Sequence, residues 1–388
     1  MHTSIDDGAA NNSDMRNIGN QTIGVWHRPN SSGRERNLEE LCAVIDEFKA
    51  SGVNIVFLET FYHGKTVLKT DKVPYSSKIK DFSYGDYSDY LTAFVTEADK
   101  RGIDVFAWVQ DFYVGVDDEA VLVQSHPDWM LINQSGELRH TTEGHGFGGY
   151  LFLDPANKEV RDFLADFYDE LLSRLPQIKG LNLDYIRYPV SEYCEATDTG
   201  YTEITMKDFA EKCGISLNSE NMREDLVAKL ADENLYEKWV SYRADFITSF
   251  VKQVHDMLRD KYPGKLISTA VFPEIEQTYY KKKQNIREWM DNKYIDVVTP
   301  MVHFYDATEV YNAVKNLKSI CGDAHCYTGL YTTYHNQTVE ELAEHIAVSD
   351  KAGAEGFVLF DAAKTFFETT REYGKFLSET FGELSNSK

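Results

Sequence analysis

A (β/α)8 barrel, an α/β fold, is the architecture this sequence predicts, with long insertions after the third and fourth strands. Three observations predict it. Eight short apolar segments alternate with helical segments along the 388 residues. The first apolar segment runs into Val25-Trp26-His27-Arg28, whereas the runner-up, a doubly wound open sheet, usually carries a glycine-rich phosphate loop there. Acids, aromatics, Arg and His gather just past the strand ends, the place where a barrel puts its chemistry. No period of 20–50 residues repeats, which argues against a solenoid.

In chain order, Ile23 to Pro29 is the first strand, broken by its proline. Asn37 opens a helix over Leu38 to Ala50, apolar at Leu41, Val44, Ile45 and Phe48, and Gly52 stops it. Asn54 to Phe61 is the second strand, Asp89 to Lys100 the next helix, and Ile103 to Gln110 the third strand. Residues 112–155 form the first insertion, where Met130 to Ile132 and Tyr150 to Leu153 are short enough to pair as a hairpin. Helix Lys158 to Leu175 leads into the fourth strand, Gly180-Leu181-Asn182-Leu183-Asp184. Its two-residue period sets the leucines toward covering helices, and Asn182 and Asp184 toward an interior that is polar at its rim. Residues 190–235 are a second, mostly polar insertion, helical in part. A long helix over Tyr236 to Lys261 precedes the strand Leu266 to Phe272. Helix Ile286 to Asn292 precedes Ile295 to Met301, Ala307 to Leu317 precedes Cys326 to Tyr331, and Val339 to Ala352 precedes Gly356 to Phe360. A closing helix runs from about Lys364 to Leu377. Residues 21–380 read as one catalytic barrel.

At 42% hydrophobic and 27% charged, the chain is an ordinary globular protein with ample core. A net charge of -23 argues against nucleic acid or an anionic membrane surface as the main partner, since the one basic run, Lys281 to Lys283, is short. No run reads as a transmembrane segment, and no signal-peptide core is read at the amino end. Residues 1–20 read as a disordered polar leader. Such a leader suits an exported protein whose signal has been trimmed, and suits a cytoplasmic protein with a ragged end as well. The five cysteines, Cys42, Cys194, Cys213, Cys321 and Cys326, are odd in number and lack metal-type spacing; Cys321 and Cys326 are near enough in sequence to approach each other. Sequons at Asn20, Asn133 and Asn336 are three-residue matches that read as accidental.

The strand ends supply Trp26, His27 and Arg28; Glu59 and His63; Trp108, Gln110 and Asp111; Asp184, Tyr185 and Arg187; Glu274; Met301, His303 and Tyr305; Tyr327 and Tyr331; and Asp361. Carboxylates with aromatics, Arg and His make a carbohydrate site: sugars stack on the rings while carboxylates and Arg take the hydroxyls. Acetal cleavage needs two carboxyls, one protonated and one ionised. Asp184 and Glu274, from neighbouring strand ends, are the chosen pair, with Asp111, Glu59, Glu276 and Asp361 as competitors for the second place. Trp26, Trp108 and Tyr305 are stacking candidates; Arg28, Tyr185 and Arg187 position the sugar and tune Asp184; Glu59, His63, Asp111, His303 and Asp361 complete the substrate-binding set. Trp239 and Arg243, four apart on one helix face, read as packing. His27, His63 and His303 with Asp184 lack the two- or four-residue histidine spacing of a metal site, so neither metal nor cofactor is expected.

The motifs also carry a family likeness. Gly24-Val25-Trp26, Ala107-Trp108, His126-Pro127-Asp128-Trp129, Leu153-Asp154-Pro155 through Glu159-Val160-Arg161, and above all Leu183-Asp184-Tyr185-Ile186-Arg187-Tyr188-Pro189 resemble the glycosyl-hydrolase-like 10 family of bacterial proteins. Trp239 with Arg243, Asp296 to Met301 and Gly353 to Phe360 continue the likeness, over roughly residues 20–375. The resemblance implies a TIM-barrel hydrolase of glycosidic bonds, usually exported, with Asp184 as an active-site carboxylate and an oligo- or polysaccharide as partner. One relative in that family is linked to peptidoglycan strands. Two departures stand out: Lys179 where the family usually has Asp, and Met301 where Gln is common. Both are expected near the mouth or its support. The function expected is glycoside hydrolysis of a bacterial or dietary polysaccharide; a non-catalytic carbohydrate-binding barrel and a metal-dependent sugar deacetylase are the alternatives.

Overall fold

The computed structural model describes residues 22–116, 121–140, 149–190, 198–303, 306–332, 337–367 and 372–382. The leader at 1–20, Cys194, Tyr305 and the sequons at Asn20 and Asn336 lie outside the described residues. Eight parallel strands follow one another around a barrel: β1 (Thr22–His27), β2 (Ile55–Tyr62), β3 (Asp104–Gln110), β4 (Gly180–Asp184), β5 (Leu266–Val271), β6 (Val297–Pro300), β7 (His325–Tyr331) and β8 (Gly356–Phe360). β8 pairs back onto β1, from Thr22 opposite Gly356 to Trp26 opposite Phe360, which closes the sheet. All eight strands lie where the alternation places them, within a residue or two at their ends.

The helices of the outer layer are α1 (Leu38–Ala50), α2 (Tyr90–Lys100), α3 (Lys158–Arg174), α4 (Glu233–Lys261), α5 (Ile286–Asp291), α6 (Ala307–Lys318), α7 (Val339–Lys351) and α8 (Glu372–Phe381). Their starts are capped by side chains that accept an otherwise orphaned backbone N–H: Asn37 for α1, Asp89 for α2 and Thr338, with Glu341 reciprocating, for α7. Each buries its apolar stripe, as α1 does with Leu41, Val44, Ile45 and Phe48. The closing helix read at 364–377 is instead a wide helical turn at Ala363–Phe367 and then α8. Thr365 ties that turn to the end of β8, donating from both its N–H and its hydroxyl to the Asp361 carbonyl.

Strand alternation sorts the side chains into two cores. Leu181 and Leu183 join the large core between strands and helices. Trp26, Phe57, Phe106, Trp108, Ala270, Val297 and Val358 fill the barrel interior. A polar rung crosses that interior: Trp26 Nε1 donates to Asn182 Oδ1 at 3.2 Å, and Asn182 Nδ2 to Ser268 Oγ at 2.9 Å. Gly329 makes room for it, since a Cβ there would stand 2.9 Å from the Trp26 ring.

Both insertions are built. In the first, Tyr150–Phe152 pairs antiparallel with Tyr113–Gly115 on one side and Arg139–His140 on the other. The hairpin expected there is present as an antiparallel bridge between Met130 and Leu153, with the Leu131 N–H donating to the Phe152 carbonyl at 2.9 Å. Asn133 is 2% exposed and accepts from the Glu137 N–H, so its sequon is sequestered. The second insertion carries helices Glu203–Cys213 and Met222–Lys229 over a small core with Tyr201, Phe209, Leu226 and Trp239. Asp154 of the first accepts from Thr202 of the second at 2.8 Å. Arg243 of α4 fastens the second: it stacks on Trp239 and donates to Asp198 at 2.7 Å and to the Thr199 carbonyl, and all four residues are fully buried. No helix among the described residues is long and apolar enough to cross a membrane.

Removing Arg243 takes from buried Asp198 the nearer of two cations and leaves Lys283 Nζ at 3.7 Å. Arg243→Ala should therefore cost about 3 kcal/mol, the lower end for a broken buried pair, and limited proteolysis should cut residues 198–232 before the barrel opens. Unchanged urea unfolding and an unchanged cleavage pattern would show that Asp198 is held adequately without Arg243.

Candidate active site

At the carboxyl ends of the strands the inward positions are occupied by polar groups. A bulge in β2 between Glu59 and Phe61 sends Phe61 into the outer core and leaves Glu59 at the mouth beside Trp108 of β3. Gln110 pairs across to Asp184 in the β3–β4 register. Arg28, just past β1, sits between these groups. Its Nη1 donates to Asp361 Oδ2 at 2.5 Å, its Nε lies 3.5 Å from Glu59 Oε1, and its guanidinium rests over the rings of Phe360 at 4.7 Å and Trp108 at 5.6 Å.

Asp184 is 9% exposed. Burial pushes its carboxyl above the usual range, while the Trp108 indole, the Tyr185 N–H and the charges of Arg187 and Arg28 favour its ionised form. Trp108 Nε1 donates to Oδ2 at 2.9 Å and the Tyr185 N–H to Oδ1 at 2.7 Å. The second bond requires a turned backbone: Tyr185 has φ +51°, a conformation that disfavours side chains with a Cβ. The Tyr185 ring stacks on Tyr113 at 4.5 Å, and Arg187 lies 4.6 Å over it and 5.4 Å over Phe272.

Glu59 is fully buried, which pushes its carboxyl up against the pull of Arg28 and Lys78. Gln110 Nε2 donates to its Oε1 at 3.3 Å; Lys78 Nζ stands 3.9 Å from its Oε2. Asp361 also accepts from the Lys364 N–H. His63 and His303 stand at the rim, both held down to about 4 chiefly by burial, with Lys78, Lys65 and Arg28 adding to the effect at His63. They are neutral imidazoles at neutral pH. Glu274, half-buried, heads helix Ile275–Lys282 just beyond β5 without a capping bond from its side chain.

Several expected members are elsewhere. Trp26 is 2% exposed within the barrel interior and offers no ring face to a ligand. Trp108 is equally enclosed and serves Asp184 as a donor, not as a platform. Asp111 is one residue past inward-facing Gln110 and so turns outward, where Tyr168 of α3 donates to it at 2.6 Å; it is fully buried, which pushes its carboxyl well up, and the Asp184 charge adds to the effect. His27 also points outward, 2.9 Å from Glu35 and stacked on Phe94, so it does not meet His63, His303 and Asp184. Among the described residues no three His, Cys, Asp or Glu groups assemble as a metal cluster. Lys179 stands at the base of β4, bonded to the Val105 carbonyl, at the end opposite the mouth; Met301 does lie near it, bridged to Gly329 of β7. Sequence reasoning missed Glu35 and Lys78 altogether, because each comes from a connecting loop and not from a strand end.

Known proteins resemble this chain in sequence and in fold. Residues 21–345 match the family model described as glycosyl hydrolase-like 10. An S-layer-related protein of Niallia circulans is 26% identical over 205 residues, 50% of this chain and 12% of that protein. Glycosyl hydrolase DigH of Escherichia coli K12 is 22% identical over 264 residues, 67% of this chain and 56% of its own length. The chain thus spans only part of these relatives. In fold it is similar to the catalytic domain of a beta-amylase from Paenibacillus polymyxa, with a TM-score of 0.60 at 12% identity over 95% of this chain and 99% of that one. A beta-galactosidase from Marinomonas ef1 also gives 0.60, at 13% identity, over 94% of this chain and 59% of that one. With a closed eight-stranded barrel and a family match over most of its length, this chain belongs to the glycosyl hydrolase-like 10 family.

Proposed function

We propose that residues 21–380 form one catalytic domain that hydrolyses glycosidic bonds in an oligo- or polysaccharide of bacterial or dietary origin, and that the protein works outside the cytoplasm. The observation that carries this reading is the pair of N–H donors trained on Asp184 at the barrel mouth. Donors from both sides favour a carboxylate over a carboxylic acid, which is what a nucleophile or base must be when a sugar arrives. Family membership and a fold shared with glycoside hydrolases support it.

In the proposed mechanism Asp184 attacks the anomeric carbon, or takes a proton from the attacking water, while Glu274 protonates the departing oxygen. Glu274 stands just beyond the end of β5, the strand that pairs with the strand of Asp184. Glu59 is the competitor, a buried carboxyl pushed up toward its protonated form; Arg28 against it and its near-complete enclosure weigh against a role as proton donor. Arg28, Tyr185 and Arg187 position the sugar and set the charge at Asp184, and His63, His303 and Asp361 contribute rim contacts.

Asp184→Asn should lower release of reducing ends from a susceptible glycan by roughly a thousandfold or more, with the thermal midpoint nearly unchanged. Full activity in that variant would remove Asp184 from the chemistry. Glu274→Gln should spare aryl glycosides with good leaving groups and lose those with poor ones; if Glu59→Gln shows that pattern in its place, the acid is Glu59.

Burial raises the Asp184 carboxyl, so activity that needs its ionised form should rise on an acid limb above the free aspartate range near 4. Trp108→Phe deletes a donor that favours ionisation, and should move that limb upward by about one pH unit. A limb that stays put or moves down in the kcat/KM profile would contradict the assignment.

A further inference from the structure

Behind β1 lies a buried polar cluster that the proposed mechanism does not use. Glu35 is completely enclosed in the loop between β1 and α1. Its Oε1 accepts from the Tyr90 hydroxyl of α2 at 2.6 Å and lies 2.9 Å from His27 Nε2. Its Oε2 accepts from the Asn30 N–H at 2.6 Å, and Asn30 Oδ1 accepts in return from the Glu35 N–H at 3.1 Å. Tyr84 donates to the Glu35 carbonyl at 2.7 Å. Asn30 itself takes φ +51°, a turn that these two reciprocal bonds hold. Burying a carboxyl this deeply is costly unless its oxygens are satisfied, and here both are.

The loop held this way begins at Arg28. From there the guanidinium reaches over Trp108 and Phe360 to Glu59 and Asp361, and its charge acts on Asp184. We propose that Glu35 is a positioning residue: through His27, Tyr90 and Asn30 it fixes the loop that delivers Arg28, and so sets the ionisation of the carboxylates at the mouth without touching substrate. The groups facing Arg28 are Glu59 of β2 with Lys78 beside it, Asp361 after β8, Asp184 of β4, and His63 at the rim. Those facing Glu35 are His27, Tyr84, Tyr90 and Asn30.

The sign of the effect separates positioning from simple charge. Deleting an anion near the mouth would by itself lower the midpoints of neighbouring carboxyls; letting Arg28 drift away raises them. The inference rests on the hydrolase reading only for its consequence in turnover, so the test is a carboxyl 13C NMR titration of Asp184 and Glu59, which needs no substrate. Arg28→Gln should raise both midpoints by roughly one unit or more. Glu35→Gln should shift them in the same direction by a smaller amount. The double variant should match Arg28→Gln alone, because coupled sites are not additive. Tyr90→Phe removes a single hydroxyl, should stay folded, and should give a weaker shift of the same sign. Midpoints that stay fixed or fall in Glu35→Gln and Tyr90→Phe, whatever the loss in thermal midpoint, would overturn the proposal and leave the cluster a structural one.

Discussion

In a closed barrel, each strand's two-residue period divides its side chains between a packed interior and a packed helical shell, and neither tolerates an unpartnered charge. Only the last inward position of each strand, at the open end, escapes that rule. The fourth strand obeys it residue by residue. Leu181 and Leu183 go to the shell, Asn182 is satisfied inside by Trp26 and Ser268, and Asp184 comes last, at the mouth. Everything polar about the site follows from which strands end in phase: β2 reaches it with Glu59 in register beside Trp108, and the bulge that follows turns Phe61 away into the outer core.

Several carboxyls brought to so enclosed a place would be driven to protonate by desolvation. Arg28 is the shared answer to that cost. It binds Asp361 and approaches Glu59 directly, and its field reaches Asp184. Arg28 thus faces three acids at once, while neutral donors, the Trp108 indole and the Tyr185 N–H, are turned on Asp184 and favour its ionised form. Under the proposed hydrolase reading, this asymmetry is what separates a base from its partner acid.

The barrel was legible because apolar period and helix caps are local signals: Asn37, read as opening its helix, caps it in the structure, and Asp89, read as the start of the next, caps that one. Asp184 was legible for the same reason, since its alternating neighbours show which way it points. Neighbours at a strand end still face opposite ways. Asp111 and His27 lie beside mouth residues in sequence yet point outward, and Trp26 is in phase but one layer too deep to meet a ligand. The motifs at His126 to Trp129 and Leu153 to Pro155 are architectural. Trp129 donates to Glu159 and stacks on His126, and Asp154 stitches one insertion to the other.

What no periodicity reveals is the layer behind the site. Glu35 stands in a loop, has no alternating context, and meets Tyr90 across 55 residues of sequence. Its two oxygens are saturated by three different segments, β1, its own loop and α2. A loop that were free to move would leave the Arg28 guanidinium to average over many positions, and a charge so averaged in partial contact with water would be screened. The rigidity of the shell and the electrostatics of the mouth are thus one problem. Packing α2 against β1 through a buried carboxylate is how this fold carries order from its helices, where sequence makes it cheap, to a loop where sequence alone supplies none.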